Sequence, residues 1–222
     1  MTLLDSIIEI LPELNVAFFE TIYMVGIAMV VALIVGLPIG ILLFVSDKGL
    51  FLENGPLKST LGFIVNMIRS IPFIILLIAL LPLANLIAGT TIGPTAASVS
   101  LSVAAIPFFA RLVEQSLREI DKGIIEATVA AGASPWMIIK DVLVSEAKPG
   151  IIQGITLTII SLIAYSAMAG IVGGGGVGDL AIRFGYYRYD NTVMFTTVIV
   201  LICLVQFIQF LGDRFSKVVD KR

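Results

Sequence analysis

The chain has 222 residues, of which 58% are hydrophobic and only 14% are charged. A soluble globular domain keeps about a quarter of its residues charged, so this composition excludes a water-soluble fold and predicts a protein whose solvent is lipid. The net charge of −2 gives no indication of a nucleic-acid-binding surface. With a single cysteine, Cys203, the chain cannot form an intrachain disulfide. Because it also has no histidine, it offers few metal ligands.

The N-terminal residues 1–20 contain four acidic residues and no Lys or Arg, so a cleavable signal peptide, which needs a basic start, is not expected. Beyond the start, five apolar segments reach the length of about 20 residues that a membrane-spanning helix needs. Irregular backbone is too costly in lipid, so all five are predicted to be helices. Their approximate ranges are 16–45, 61–83, 92–117, 151–172 and 192–211.

The first of these segments is longer than a bilayer is thick. Its Gly36-Leu-Pro-Ile-Gly40 stretch is therefore predicted to kink the helix or to pack it closely against a neighbour.

The placement of lysine and arginine predicts the orientation of the spans, because cytoplasmic loops carry an excess of both residues. With the N-terminus outside, twelve of the fourteen basic residues fall on the cytoplasmic side, and only Arg183 and Arg188 fall outside. The twelve are Lys48, Lys58, Arg69, Arg111, Arg118, Lys122, Lys140, Lys148, Arg214, Lys217, Lys221 and Arg222. The expected fold is an all-α integral membrane protein with about five transmembrane helices, an outer N-terminus and a cytoplasmic C-terminus.

A single membrane domain is expected over residues 1–222, with a cytoplasmic helical loop at about 119–149 and an outer loop at about 173–191. No internal repeat is visible, which weakens the case for a secondary transporter built from two related halves. Five helices barely enclose a route for a metabolite. A second copy of the chain, or a close relative of it, is therefore predicted to complete the path.

The cytoplasmic loop has the pattern of two short helices around a glycine turn. Good helix formers with an acidic first turn run over residues 121–131, and Gly132 is placed to end that helix. Ser134 and Pro135 then restart the chain as N-cap and first helical residue. The second helix is predicted to start at Trp136 and to be broken by Lys148-Pro149-Gly150 before the fourth span.

The apolar residues of the second loop helix need a partner surface. Ile139, Val142 and Leu143 are expected to pack against the ends of the chain's own helices. Trp136 and Met137 lie at the tip beside the turn, where packing against the same chain is hardest. These two are predicted to dock into another protein.

The spacing of Glu126-Ala127-Thr128 and Gly132 resembles the EAA loop of ABC-importer permeases, in which a coupling helix sits in a groove of the cytoplasmic ATPase. Thr128 stands where that motif has its second alanine, and Ser145 stands where the motif ends in proline. The resemblance implies that this loop couples the chain to an ATPase. The residues implied are Glu126, Ala127, Gly132, Ala133, Ser134, Pro135, Trp136 and Met137.

The resemblance covers nearly the whole chain and narrows to the methionine-importer permeases. The segments that carry it are Arg69-Ser-Ile-Pro-Phe73, Tyr165-Ser-Ala-Met-Ala-Gly170 with the glycine run after it, Gly185-Tyr-Tyr-Arg-Tyr-Asp190 and Gln206-Phe-Ile-Gln-Phe-Leu-Gly-Asp213. It implies a multi-pass protein of the bacterial plasma membrane that has no catalytic residue, cofactor or metal of its own.

The same resemblance implies an assembly. ATP and magnesium would belong to two copies of a partner ATPase, and this chain has no GxxxxGK[ST] phosphate-binding motif. A second copy of the chain and an external substrate-binding protein or lipoprotein would complete the assembly.

Polar groups at membrane depth are the candidates for the translocation path. Tyr165, Ser166 and Met168 cluster within one turn. Asn66, Arg69 and Ser70 form a second group in the second apolar segment. The alternative for each polar group is that it forms a hydrogen bond to a neighbouring helix and does not line the path. Arg69 alternatively sits at the inner interface, because residues 70–89 alone supply twenty uncharged residues.

The glycine run Gly173-Gly-Gly-Gly-Val-Gly178 fits G-x-G-x-x-G, but no strand is expected before it and no βαβ unit surrounds it. A dinucleotide site is therefore not expected. The run is predicted to be a flexible, closely packed segment between the fourth and fifth spans, a place that suits an external gate.

The leading hypothesis is the membrane subunit of an ATP-driven importer that moves D- or L-methionine by alternating access. An importer for another amino acid or small organic solute is the alternative within the same class. An ATP-independent secondary carrier or channel is a different class, and neither Glu114 nor Asp213 lies deep enough in a span for a proton relay. A membrane scaffold that transports nothing is the third possibility.

Overall fold

The computed structural model describes residues 3–220, with the side chains of residues 9–220, and every regular element in that range is helical. Lys221 and Arg222, counted above in the charge bias, lie outside the described residues. The α-helices are α1 (Leu3–Val31), α2 (Leu37–Val45), α3 (Gly55–Arg69), α4 (Phe73–Ala79), α5 (Leu81–Ala88), α6 (Pro94–Arg118), α7 (Lys122–Ala130), α8 (Pro135–Met137), α9 (Val144–Glu146), α10 (Lys148–Ala169), α11 (Gly176–Leu180) and α12 (Asn191–Val219). Wider π-helical turns occupy Ala32–Gly36, Ile138–Leu143 and Ala181–Tyr186, and a 3₁₀ turn occupies Gly170–Val172.

Four continuous helical stretches within the described residues are long and apolar enough to cross a membrane. They are Glu9–Val45, Pro94–Arg118, Lys148–Val172 and Asn191–Val219. These confirm the predicted first, third, fourth and fifth spans. The first, fourth and fifth are longer than expected, and the third has nearly the predicted bounds.

The first span continues through Pro38. Pro38 has no N–H for the carbonyl four residues earlier, and its ring crowds that carbonyl. The π-helical turn at Ala32–Gly36 lies directly before it and widens the helix there, so the chain passes Pro38 without ending.

The predicted second span is not one helix. α3 ends at Arg69, α4 begins at Phe73, and the two are bent by 98° at the break between them. Pro72 causes the break, because it donates no N–H and disfavours helical backbone at the residue before it. Its own ψ of 135° is not helical. A fifth span exists only if the bent pair is taken together, and the alternative span over residues 70–89 is likewise interrupted at Leu80.

The described chain forms two compact units. The first contains the residues up to Val30 with Ile71–Ala104 and Ile159–Gln209, and the second contains Val31–Ser70, Ala105–Thr158 and the chain from Phe210 onward. Each unit therefore draws on several spans. The expectation of a single membrane domain stays a prediction.

The first unit has an apolar core between α1 and the segment that follows the glycine run. Ile10, Leu14 and Ala17 of α1 pack with Val177 and Leu180 of α11 and with Val193 of α12. The close packing predicted for the glycine run is confirmed. A Cβ on Gly178 would overlap the backbone of Ala167, and one on Gly176 would lie 2.7 Å from Thr21 Oγ1.

The second unit is held by a close approach of the first span to α6. A Cβ on Gly36 would lie 2.9 Å from Ile106 O, and one on Gly40 would lie 2.5 Å from Ala110 O. Glycine is required because a backbone oxygen, and not a flexible side chain, occupies the space. The close packing predicted for this Gly-x-x-x-Gly stretch is confirmed.

Gly40→Ala is expected to destabilise the protein by about 1–3 kcal/mol, because the new methyl group would force the two helix backbones apart. The thermal unfolding midpoint of the purified protein in detergent measures the effect. Gly26→Ala is the matched control on the same span, since nothing lies within 4 Å of a Cβ there. An unchanged midpoint for Gly40→Ala would show that the two backbones do not meet at this residue.

Candidate functional site

The first helix of the cytoplasmic loop, α7, starts and ends where its sequence predicts. Asp121 is its N-cap and accepts a hydrogen bond from Gly123 N at 2.6 Å. Gly132 ends it with a φ of +77°, a left-handed conformation that only glycine adopts at little cost.

The second loop helix restarts as predicted. Ser134 is its N-cap and accepts a hydrogen bond from Met137 N at 3.4 Å, and Pro135 is its first residue. α8 runs through the π-helical turn Ile138–Leu143 into α9 without a gap.

The predicted break at Lys148-Pro149-Gly150 is wrong. Only Ala147 interrupts the chain, and Lys148 is already the first residue of α10. Pro149 sits in the first turn of α10, where a helix needs no N–H donor, so it does not break the chain. The turn at Ala147 forms without a proline at Ser145.

Burial divides the loop into a face that holds it to the chain and a tip that projects. Leu143 is fully buried, while Ile139 and Val142 are half-buried, which confirms the predicted packing against the chain's own helices. Trp136 is 71% exposed and Met137 is 51% exposed. The tip therefore presents apolar surface that the described chain does not cover.

The other residues predicted for coupling lie on the same loop and are accessible. Glu126, Ala127, Gly132, Ser134 and Pro135 are exposed, and Ala133 is half-buried. Sequence reasoning missed two members of this surface, Ile124 and Val129 of α7, which are also large, apolar and exposed. They lie two residues before and three residues after Glu126, and this spacing within the motif was the signal available in the sequence.

The first group of predicted path residues lies at the end of α3, in the second unit. Asn66 Oδ1 accepts a hydrogen bond from Arg111 Nη2 at 2.9 Å, and Ser70 Oγ donates to the Asn66 carbonyl of its own helix at 2.8 Å. Arg69 is exposed and lines a cavity with residues of α6. Asn66 thus bonds a neighbouring helix, whereas the exposed side chain of Arg69 is accessible from the cavity.

The second group of predicted path residues lies on α10, in the first unit. The Tyr165 ring stacks on the Phe73 ring, with centroids 4.5 Å apart and planes 10° apart. Ser166 is buried and donates to its own helix at Ile163 O, 2.8 Å away, while Met168 is exposed. Phe73 was not predicted as a site residue, although its motif had been noted.

Sequence reasoning did not predict a cluster of ion pairs centred on α6. Glu114 is 3% exposed, and its carboxylate accepts from Lys58 Nζ at 2.6 Å, Arg111 Nη1 at 2.5 Å and Arg118 Nη2 at 3.0 Å. The spacing of Arg111, Glu114 and Arg118 along one helix was visible in the sequence. Lys58 comes from α3, far away in the chain, and had no such signal.

Asp47 extends the same cluster between α2 and α3. Its carboxylate pairs with Lys58 at 3.5 Å and accepts a hydrogen bond from Arg118. Burial would by itself raise the pKa of Asp47, but the hydrogen bonds from Arg118 and the Lys48 N–H, together with the nearby charges, hold that pKa below its ordinary value. The carboxylate is therefore ionised and binds both cations.

Asp179 is a second buried acid, in the segment after the glycine run. It accepts a hydrogen bond from Arg183 Nε at 2.7 Å. Burial raises the pKa of Asp179, the Arg183 charge lowers it in part, and the Glu20 charge raises it again. Among the described residues, no group of three acidic or cysteine side chains is arranged to hold a metal ion.

Comparison with known proteins shows the family. Residues 36–222 match the family described as "Binding-protein-dependent transport system inner membrane component". A probable D-methionine transport system permease protein (MetI) of Vibrio cholerae is 50% identical over 206 residues, which are 93% of this chain and 92% of that protein. The methionine import system permease protein (MetP) of Bacillus subtilis is 43% identical over 212 residues, 96% of each chain.

The fold of this chain is also similar to solved structures of ABC transporters. A chain from a structure of inward-facing conformations of the MetNI methionine ABC transporter has a TM-score of 0.94 and 44% identity, covering 96% of this chain and 99% of that one. A chain of an amino acid ABC transporter solved with histidines has a TM-score of 0.79 at 18% identity, a likeness of fold alone.

Proposed function

This chain belongs to the binding-protein-dependent transport system inner membrane components, and we propose that it forms the membrane path of an ATP-driven importer for methionine. The observation that carries the proposal is the overlay of nearly the whole chain on the permease of a methionine ABC transporter. The names of its relatives supply the substrate. The protein is a multi-pass protein of the plasma membrane, and it is a transport subunit rather than an enzyme.

ATP hydrolysis takes place on a separate ATPase, and the cytoplasmic loop transmits its motion. Trp136 and Met137 dock into a groove of that ATPase. The buried Leu143 holds the base of the loop against the chain, and α10 starts directly after Ala147. When the ATPase moves, it displaces the loop tip, and the packed side chains at the base of the loop transmit this displacement to the fourth span. The fourth span then moves as a rigid body.

The proposal includes three kinds of partner. A second copy of this chain completes the path, two ATPase subunits drive it, and an external binding protein delivers the solute. The strong excess of basic residues on one side supports a cytoplasmic loop and C-terminus and an outer N-terminus. The segment after the glycine run then faces the outside.

Polar and polarisable side chains line the path in this proposal. Tyr165, Ser166 and Met168 contribute from α10, and the Met168 thioether offers a polarisable contact to a thioether solute. Asn66, Arg69 and Ser70 contribute from the end of α3. The exposure of Met168 and Arg69 supports their part in it.

Reconstitution tests the function. Proteoliposomes containing this chain with its ATPase are expected to accumulate labelled methionine only when both ATP and the binding protein are supplied. A non-hydrolysable ATP analogue serves as the control. Uptake without ATP would indicate a secondary carrier, and ATP-driven uptake that other amino acids compete away while excess methionine does not would reassign the substrate.

A further inference from the structure

A cavity of about 310 Å³ lies in the second unit where the end of α3 meets α6. The side chains that give it its character are Arg69, Arg111, Arg118, Glu114, Gln115 and Phe108. Charged and polar groups together with one aromatic ring form a lining suited to a small amphipathic molecule.

The charges around this cavity do not balance. Glu114 is shared among Lys58, Arg111 and Arg118, so it fixes the two arginines, and it makes no ion pair with Arg69. No acidic side chain among the described residues pairs with Arg69. The lining holds three guanidinium groups and one carboxylate. With Lys58 and Asp47 of the adjoining ion pairs included, four cations face two carboxylates, so an excess of two positive charges remains and favours an anion.

Two donors in the lining lack acceptors. The exposed Arg69 guanidinium makes no hydrogen bond to a described residue, and Arg111 Nε is buried without a partner among them. A buried donor without an acceptor is rare in folded proteins. An oxyanion that enters the cavity supplies acceptors to the exposed Arg69 guanidinium, and a planar guanidinium binds a carboxylate through two parallel hydrogen bonds.

Size restricts the anion. A volume of about 310 Å³ is at the small end of the range of about 300–1,000 Å³ for ligand pockets. It is large enough for an amino acid and matches a small anion better than a nucleotide.

We propose that this cavity binds the carboxylate of the transported amino acid, with Arg69 as its principal ligand and Phe108 beside the apolar side chain. The inference rests on the proposed function and adds a chemical requirement to it, namely that the solute must carry a carboxylate. Glu114 is a positioning residue, because it holds Arg111 and Arg118 and does not touch the solute.

Equilibrium binding of radiolabelled L-methionine to the assembled transporter in nanodiscs tests the proposal. Arg69→Gln is expected to weaken binding about tenfold or more, because a charge-assisted hydrogen-bonded pair is lost. Arg69→Lys is expected to recover part of the affinity. Methioninol, which lacks the carboxylate, is expected to bind wild type and Arg69→Gln equally weakly.

Arg214→Gln is the matched control, since it removes one exposed arginine of α12 that does not line the cavity. Assembly with the ATPase shows that each variant is folded. Unchanged methionine affinity in Arg69→Gln overturns the proposal, and so does methioninol binding as tight as methionine binding to wild type. A difference between wild type and Arg69→Gln that is found only in nanodiscs with anionic phospholipid also overturns it, because the site then holds a lipid headgroup. Failure of wild type to import methionine refutes the proposed function instead.

Discussion

Glu114→Gln is expected to destabilise the protein by about 3–5 kcal/mol, the largest effect on stability expected here. The glutamine has nearly the same shape, but it removes the negative charge that Lys58, Arg111 and Arg118 share. Three cations are then left together with only Asp47 to offset them, and two of them, Lys58 and Arg118, already contact it. The thermal unfolding midpoint in detergent is expected to fall by about 10 °C, given the usual relation between free energy and midpoint for a chain of this size.

Glu119→Gln is the matched control, because it removes the same charge from an exposed residue just beyond the same helix. Its midpoint is expected to match that of wild type. Adding Arg118→Gln to Glu114→Gln should restore part of the lost stability, since one of the unpaired cations goes too. If Glu114→Gln unfolds with the wild-type midpoint, the carboxylate does not hold α3 and α6 together.

Trp136→Asp is expected to weaken association with the ATPase about 30-fold or more and to abolish ATP-driven uptake. A large aromatic side chain that fills a partner's groove commonly accounts for at least about 2 kcal/mol of binding energy, and a buried aspartate adds an unpaired charge. The thermal midpoint of the isolated chain should hardly change, because Trp136 is mostly exposed. Co-purification and equilibrium binding of the ATPase measure the first effect, and proteoliposome uptake measures the second.

Trp136→Phe retains an apolar ring and is expected to keep most of the association. Val218→Asp is a second control, since it places the same charge on an exposed apolar residue of α12 outside the loop. Normal association of Trp136→Asp would refute the assignment of the tip as the coupling surface.

The long spans and the loop were predictable because their signals are local. A run of apolar residues identifies a helix in lipid whatever it packs against. Gly132 and Ser134-Pro135 likewise determine a helix end and a helix start through their own backbone chemistry. Both features have the predicted form.

For the second span, apolar composition predicted one continuous helix, and this prediction was wrong. Residues 61–83 are apolar enough for one helix, but Pro72 divides them into α3 and α4. The proline was visible in the sequence, as Pro38 was. The chain bends at Pro72 and passes through Pro38, which a π-helical turn precedes. Proline alone does not decide between these outcomes, because the surrounding backbone absorbs the missing hydrogen bond in one case only.

The sequence could nominate candidate site residues but not their contacts. Tyr165 was predicted as a path residue, but its stacking on Phe73 joins residues 92 positions apart and could not be predicted. Arg69 was predicted as a path residue too, but whether it pairs with an acid depended on where Glu114 lies and on which cations Glu114 already binds. Long-range ion pairs and ring contacts follow from packing, and no periodicity along the chain reports them.

The sequence by itself determined that this protein lies in the membrane, that it is helical, and that one patterned loop breaks its apolar run, because hydropathy, glycine and proline act over a few residues. Only the tertiary structure decided that Gly40 meets the backbone of α6, that Glu114 binds three cations, and that Arg69 lines a cavity with an excess of positive charge. These features depend on which distant residues the helices bring within a few ångströms of each other, and interactions over that distance are set by packing rather than by position in the chain.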